Sequence, residues 1–152
     1  MAKWETKLWP LGRFALLADE LIERHQATVC FTGSTADIEA IDQIRGRMKN
    51  KADNFAGRTR LLELAALYQR MACLVTTDTG PMHIAAAVGT PGVALFGPTA
   101  EWRTGPYGPG HTVVSVDIEC RPCFKRSCNT HKCMTDIPVD IVARRVVDVL
   151  GR

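Results

Sequence analysis

The sequence predicts an α/β fold, a Rossmann-like parallel sheet with helices on both faces. Short apolar runs typical of buried strands alternate along the chain with longer segments whose apolar residues repeat at helical spacing. Strands that alternate with helices form βαβ units, which give a parallel sheet covered on both sides. Two of the apolar runs end in glycine-containing turns, at Asp78–Gly80 and Gly97–Thr99. Ligands of such folds bind at the carboxyl ends of the strands, so both turns are candidate site segments.

Each element is predicted from its own local pattern. Helices are expected where apolar residues recur every three or four positions, and strands where short β-prone runs stand between turn residues. The predicted helices are Leu11–His25, Asp37–Met48, Leu61–Met71, a segment beginning at Pro81, and Val139–Leu150. The predicted strands are Ala27–Phe31, Leu74–Thr77, Gly92–Phe96 and Thr112–Val116, and residues 49–54 and 102–111 are expected to be loops.

Length and composition narrow the class of protein. The chain has 152 residues, 46% hydrophobic and 23% charged, which suits one ordinary globular domain. The formal net charge of +3 is too small to argue for a nucleic-acid partner. No run of roughly 18 apolar residues is present, and the first residues lack the apolar core of a signal peptide. We therefore expect a cytoplasmic protein that does not bind nucleic acid.

The segment that opens the helix at Pro81 is the strongest functional signal. Proline suits the first turn of a helix, where its missing N–H costs nothing. The unpaired N–H groups of such a start and the helix dipole favour an anion. Asp78 and His83 flank the start with an acceptor and a titratable donor. The pattern predicts a cradle for a phosphorylated ligand; the alternative is a plain strand-to-helix turn capped by Asp78.

Residues 78–83 and 95–99 together resemble the donor-binding half of the lipopolysaccharide heptosyltransferases, glycosyltransferases with two Rossmann-like domains in the GT-B arrangement. The likeness runs in order along nearly the whole chain. Further matching stretches are residues 7–10, 33–37, 54–59 and 103–108. The tail Cys120–Met134 looks most like the heptosyltransferase II branch.

The resemblance implies a function that two domains share. The family would transfer L-glycero-D-manno-heptose from ADP-heptose to the lipopolysaccharide inner core, with inversion and without an obligatory metal. Its general base, a carboxylate, belongs to an N-terminal acceptor domain that has no counterpart in this sequence. We therefore expect residues 1–152 to form a single nucleotide-sugar-binding domain, inactive when isolated. Its partners would be ADP-heptose, the core acceptor and the missing N-terminal domain, at the inner face of the inner membrane.

The resemblance also implies roles in the donor site. The N–H groups of Thr79 and Gly80 would bind the diphosphate, and the Asp78 carboxylate would accept from sugar hydroxyls. The Lys7 ammonium would balance charge that grows on the diphosphate as ADP departs, and His83 would donate to the departing ADP. The alternatives are a solvated lysine and a histidine packed under the turn.

Two further residues that would contact the donor nucleotide are predicted between Lys7 and Asp78. Asp37 follows the Gly33 turn and would accept from a ribose hydroxyl, as an acidic residue does in many nucleotide-binding folds. It would equally suit the first turn of a helix. Thr59 occupies a position that lies near the adenine in the family. The alternative is that its side chain is the N-cap of the third helix.

Four of the six cysteines lie in a Cys-rich, basic loop at residues 120–133. Their spacing would allow a zinc site, but only one pair forms the knuckle that zinc sites normally use twice. Reduced thiols are therefore favoured over a metal, and no cofactor is expected. The possible ligands are Cys120, Cys123, Cys128 and Cys133. The basic residues would meet an anionic acceptor or a membrane surface, or only solvent.

Two other functions are compatible with the same fold. One is a non-catalytic module that binds a nucleotide or zinc. The other is another GT-B enzyme, such as a sugar-nucleotide epimerase, against which the Cys120–Cys133 tail weighs.

Overall fold

A computed structural model describes residues 4–151 and has the α/β architecture that the sequence predicts. The helices are α1 (Leu11–His25), α2 (Ile38–Arg45), α3 (Leu61–Gln69), α4 (Gly80–Ala87), α5 (Glu101–Thr104), α6 (Lys132–Thr135) and α7 (Val139–Val149). The strands are β1 (Cys30–Phe31), β2 (Asp53–Asn54), β3 (Leu74–Thr77), β4 (Gly92–Leu95) and β5 (His111–Val114). Short 3-10 helices cover Glu5–Lys7 and Thr35–Asp37.

All strand pairings in the described residues are parallel. β1 pairs with β2, and β3, β4 and β5 form a second sheet in chain order. Leu74 is opposite Gly92, and Thr77 is opposite Leu95. Because parallel strands end at the same edge, the turns after β3 and β4 lie side by side.

Helices cover both faces of the larger sheet. In β4 and the residue after it, Val93 and Leu95 belong to one buried cluster, whereas Ala94 and Phe96 belong to another. The first cluster includes residues of α1 and α7, and the second includes Met82 of α4. The alternation has the period of two that a strand imposes, so the predicted two-sided cover is confirmed.

Two predicted loops contain regular structure. Residues 49–54 include β2, whose pairing is continued by backbone bonds from Asp53 N–H to the Val29 carbonyl and from Phe55 N–H to the Phe31 carbonyl. Residues 102–111 include most of α5 and the first residue of β5. Both loop predictions were wrong because elements this short and polar show no hydrophobic periodicity.

Gly97 is required where the chain leaves β4. A Cβ at this position would stand 2.6 Å from both Cγ and Sδ of Met134, a side chain that is completely buried. The absence of a side chain therefore lets α6 pack directly under the turn that follows β4.

None of the helices in residues 4–151 is both long and apolar enough to cross a membrane.

Candidate functional site

The start of α4 offers unpaired backbone donors. Thr79 precedes the helix in an extended conformation, and its carbonyl accepts from the Met82 N–H at 3.1 Å. Within residues 4–151, the N–H groups of Thr79 and Gly80 have no hydrogen-bond partner. A Cβ on Gly80 would meet nothing within 4 Å. The predicted diphosphate donors are thus free, and open space lies beside them.

Lys7 and Asp78 meet beside this helix start. The Lys7 ammonium lies 2.7 Å from Oδ2 of Asp78 and 3.4 Å from its backbone carbonyl. The Asp78 side chain is only 6% exposed and that of Lys7 is 16% exposed. The two residues are 71 positions apart in sequence, and the ends of the first 3-10 helix and of β3 bring them together. The alternative of a solvated Lys7 is therefore wrong.

Thr104 completes the cluster and was not predicted as a site residue. Its hydroxyl lies 3.3 Å from Asp78 Oδ2 and also 3.3 Å from the carbonyl of Ala100, the residue that precedes α5. The residue lies in the stretch 103–108 that resembles the family, which was the available signal. The carboxylate of Asp78 is thus held by one ammonium and one hydroxyl.

His83 lies in the first turn of α4 with its side chain exposed. The alternative of a histidine packed under the turn is therefore wrong. An exposed imidazole at this position is free to donate to an anion at the helix start.

Asp37 and Thr59 lie at the carboxyl edge of the other sheet, after β1 and β2. Asp37 Oδ2 accepts from both the backbone N–H and the hydroxyl of Ser34, each at 2.8 Å, in a capping box. Thr59 is partly buried, and the N-cap of α3 is Arg60, so the cap that was the alternative for Thr59 is wrong. Gly57, which follows β2, lies close to Thr35, which follows β1. A Cβ on Gly57 would stand 2.8 Å from the Thr35 methyl group, so the segments after the two strands are in contact.

Thr99 carries a buried hydroxyl that has no hydrogen-bond partner within residues 4–151. It follows Gly97 and Pro98 in the turn after β4 and is 3% exposed. Its hydroxyl is the only buried side-chain oxygen or nitrogen in the described residues that makes no hydrogen bond. Such groups are uncommon and need a reason, since leaving one unpaired costs about 1–3 kcal/mol.

Residues 118–126, which we call the strap, cross the turn that follows β4. The guanidinium of Arg121 donates to the carbonyls of Gly97 and Val116 at 2.6 and 3.2 Å. It also pairs with Glu101 Oε2 at 3.2 Å. One partly buried arginine therefore joins the strap to the strand end and to α5.

Backbone contacts fix the rest of the strap. The N–H groups of Cys123 and Phe124 both donate to the Pro98 carbonyl, at 3.0 and 2.9 Å. The Thr6 hydroxyl donates to the Lys125 carbonyl at 2.8 Å. The strap thus connects the turn after β4 with the helix that carries Lys7.

The four clustered cysteines do not form a metal centre in the described residues. No three His, Cys, Asp or Glu side chains of residues 4–151 are arranged to hold a metal ion. Hydrogen bonds from the Thr130 hydroxyl and the His131 and Thr130 N–H groups lower the pKa of Cys128 to about 7. Burial, followed by the neighbouring thiols, raises the pKa of Cys133. The cluster is therefore a set of thiols of unequal acidity.

A family model matches most of the chain. Residues 1–134 match glycosyltransferase family 9 (heptosyltransferase). The chain is 34% identical over 125 residues to lipopolysaccharide heptosyltransferase 1 of Pseudomonas aeruginosa, covering 82% of this chain and 35% of that protein. It is 38% identical over 104 residues to lipopolysaccharide heptosyltransferase 2 of Escherichia coli, covering 66% of this chain and 30% of that protein.

A solved structure gives the same result for the fold. The structure of Escherichia coli ADP-heptose lps heptosyltransferase II has a TM-score of 0.88 and 29% identity, and the match covers 99% of this chain and 44% of that one. The chain therefore spans less than half of the length of these relatives.

Proposed function

The chain belongs to glycosyltransferase family 9, the heptosyltransferases, and from this premise we propose that it is the donor-binding part of an enzyme that transfers heptose from ADP-L-glycero-D-manno-heptose to the lipopolysaccharide core. Relatives named as lipopolysaccharide heptosyltransferases support the transferred sugar and the acceptor. The solved relative named for ADP-heptose supports the donor.

One observation carries the proposal, the free N–H groups at the start of α4. The backbone N–H groups of Thr79 and Gly80 have no hydrogen-bond partner in residues 4–151, and open space lies beside Gly80. Because Pro81 has no N–H, these two amides are the donors that the helix start can offer. Together with the helix dipole and the adjacent ammonium of Lys7, they favour a diphosphate.

Lys7 would exchange partners when the donor binds. In the structure its ammonium pairs with Asp78. A diphosphate at the helix start offers more negative charge, so Lys7 would turn to it and free Asp78 Oδ2 for hydroxyls of the heptose. As the bond to the anomeric carbon breaks, charge grows on the departing ADP, and Lys7 stabilises that charge. The exposed His83 would add a second donor.

The nucleoside would extend towards the other sheet. In this arrangement Asp37 accepts from a ribose hydroxyl while Ser34 fixes its carboxylate, and Thr59 lies near the adenine. A capping carboxylate of this kind is already oriented and therefore loses little freedom when it binds a hydroxyl.

The remaining chemistry would come from a segment equivalent to the part of the relatives that this chain does not cover. We place there the acceptor site and a carboxylate that removes the proton of the attacking hydroxyl. Attack opposite to ADP would invert the anomeric centre. Residues 1–152 alone would then bind donor without turnover, because positioning of base and electrophile contributes about 7–11 kcal/mol. The enzyme would work in the cytoplasm, at the inner face of the membrane that carries its acceptor.

Calorimetric titration with ADP, UDP and GDP tests this proposal. We expect ADP to bind best, with backbone amide shifts at Thr79 and Gly80 in a parallel nuclear magnetic resonance titration. Asp136→Asn, a change at an exposed carboxylate outside this site, serves as the control and should bind ADP normally. The proposal fails if millimolar ADP leaves the Gly80 amide unmoved. Tight zinc without nucleotide binding would instead indicate the metal-binding module, and preference for UDP another glycosyltransferase.

A further inference from the structure

A tryptophan lies beside the ammonium of the Lys7–Asp78 pair. Lys7 Nζ lies over the ring of Trp4, 4.5 Å from the ring centroid, and 2.7 Å from Asp78 Oδ2. A cation at this distance from an aromatic face is attracted by the negative potential of the ring. The ammonium therefore has two partners of different kinds, a charged carboxylate and the face of a neutral ring.

The first 3-10 helix and the strap fix the position of this ring. Trp4 is the N-cap of that helix, and its carbonyl accepts from the Lys7 N–H at 3.0 Å. Thr6, between them, is 1% exposed and donates to the Lys125 carbonyl of the strap. The guanidinium carbon of the next strap residue, Arg126, lies 5.0 Å from the centroid of the Trp4 ring. The ring is therefore placed by the same short turn that presents the ammonium, and it lies next to the strap.

The environment of Trp4 differs from that of the other two tryptophans. Trp9 is completely buried, its indole donates to the Ile137 carbonyl, and its ring meets Phe14 edge to face. Trp102 is 75% exposed. Within residues 4–151, Trp4 is the one tryptophan with a cation over its ring. Trp9 is thus a core residue, whereas Trp4 is a partner of a charge.

An aromatic face suits an ammonium that exchanges one anion for another. A lysine ammonium has three N–H donors on a flexible stem, so one can face the ring while the others bind oxygen. The ring carries no net charge, so it does not compete with a phosphate for the ammonium as Asp78 does. The ring also restricts the stem, so less freedom is lost when the ammonium binds a diphosphate.

We propose that Trp4 is a positioning residue of the donor site, whose ring keeps the Lys7 ammonium beside the start of α4 while the ammonium passes from Asp78 to the diphosphate. This inference rests on the proposed function. Trp4 acts through Lys7 and does not itself contact the nucleotide. Loss of the ring should therefore weaken ADP binding only where Lys7 is present.

Calorimetric titration of the 152-residue chain with ADP tests this role. Trp4→Leu should weaken ADP binding about fivefold, and Trp4→Phe, which keeps an aromatic face, should recover most of the affinity. Lys7→Met alone should bind roughly tenfold more weakly than wild type. Adding Trp4→Leu to it should change the affinity no further, since the two residues act as one unit. Trp102→Leu, at an exposed tryptophan with no cation over its ring in the described residues, is the matched control and should bind ADP normally.

A second variant separates the potential of the ring from its packing. Tetrafluorotryptophan has nearly the shape of tryptophan, but fluorine withdraws the negative potential from the face of the ring. Residues 1–29 with this amino acid at position 4 can be synthesised and ligated to an expressed segment that begins at the native Cys30. The resulting full-length chain should bind ADP about as weakly as Trp4→Leu.

Other outcomes would overturn the inference. Equal ADP affinity of Trp4→Leu and wild type removes the role of the ring. A further loss of affinity when Trp4→Leu is added to Lys7→Met shows that Trp4 contacts the nucleotide directly. Wild-type affinity of the tetrafluorotryptophan chain shows that the ring acts by packing alone. A wild type that fails to bind ADP refutes the proposed function and this inference with it, so the two failures are distinct.

Discussion

Asp19 in α1 and Asp78 at the end of β3 are buried to the same degree, at 7% and 6% exposure, yet their carboxylates are held in different ways. Asp19 accepts from the backbone N–H groups of Lys49 and Asn50 and from the Asn50 side-chain amide, at 2.9–3.1 Å. Asp78 accepts from the Lys7 ammonium and the Thr104 hydroxyl. One carboxylate is bound mainly by backbone, the other by two side chains.

The difference separates a structural carboxylate from one that can serve a ligand. Backbone amides of a loop cannot leave without moving the loop, so Asp19 fixes the connection after α2. A lysine ammonium on a flexible stem can turn to another anion at little cost. Burial alone therefore does not distinguish the two aspartates, whereas the kind of group that holds each carboxylate does.

The strongest test of this distinction is Asp19→Ala. We expect the free energy of unfolding to fall by about 3 kcal/mol, because three N–H groups lose a charged acceptor. ADP affinity should stay unchanged at temperatures where the variant is folded. Urea denaturation followed by circular dichroism measures the first quantity and calorimetry the second. A loss below about 1 kcal/mol would show that the loop is held by something else.

Lys7→Met should have a smaller effect on stability and a clear one on binding. Asp78 would keep only its hydroxyl partner, so we expect a loss of about 2 kcal/mol and roughly tenfold weaker ADP binding. Adding Asp78→Asn should recover most of the stability, since no uncompensated charge remains, but should not recover ADP affinity. Recovery of both would mean that Lys7 serves only to neutralise Asp78.

The pH dependence of stability should follow Asp19. Burial alone would raise its pKa, but hydrogen bonds from Lys49 and Asn50 hold the pKa below the ordinary value of 3.8. A lowered folded pKa gives a stabilising contribution that is full above the unfolded pKa and is lost as pH falls through the folded one. The stability difference between wild type and Asp19→Asn, from urea titrations, should therefore shrink between pH 5 and pH 3. A difference that stays constant over this range would contradict the lowered pKa.

The smallest expected effect concerns Thr99, whose buried hydroxyl has no hydrogen-bond partner in residues 4–151. Thr99→Val keeps the shape and removes the unpaired hydroxyl, so we expect unfolding to cost about 1 kcal/mol more, seen as a higher thermal midpoint. Thr99→Ser is the control and should not stabilise. A marked loss of stability in Thr99→Val would mean that the hydroxyl is paired in solution.

Local patterns predicted the parts of the fold that local interactions decide. The bounds of α1 and β3 match the prediction, since a long amphipathic period and a short apolar run are complete within their own sequence. β2 was missed because its residues Asp53 and Asn54 are polar and pair through the backbone alone.

In the candidate site, too, the features decided by local sequence were predicted and those decided by long-range packing were not. The helix start at Gly80 was predicted from proline, glycine and the preceding strand. The contact between Lys7 and Asp78, and the participation of Thr104, depend on packing between distant segments, which no local pattern encodes. A position in the first turn of a helix was one of two alternatives for Asp37, and the structure places Asp37 in the first turn of a 3-10 helix, with its carboxylate on Ser34.

The strap has a consequence for the order in which a nascent chain acquires this site. The Thr6 hydroxyl finds its acceptor on Lys125, 119 residues later, and the Trp9 indole donates to the Ile137 carbonyl, 128 residues later. Lys7 lies between these two anchors and leaves the ribosome long before either partner. Contacts of such separation form late, after the entropy of a long loop has been overcome. During translation the ion pair between Lys7 and Asp78 is therefore held in place only after residues 125–137 have emerged.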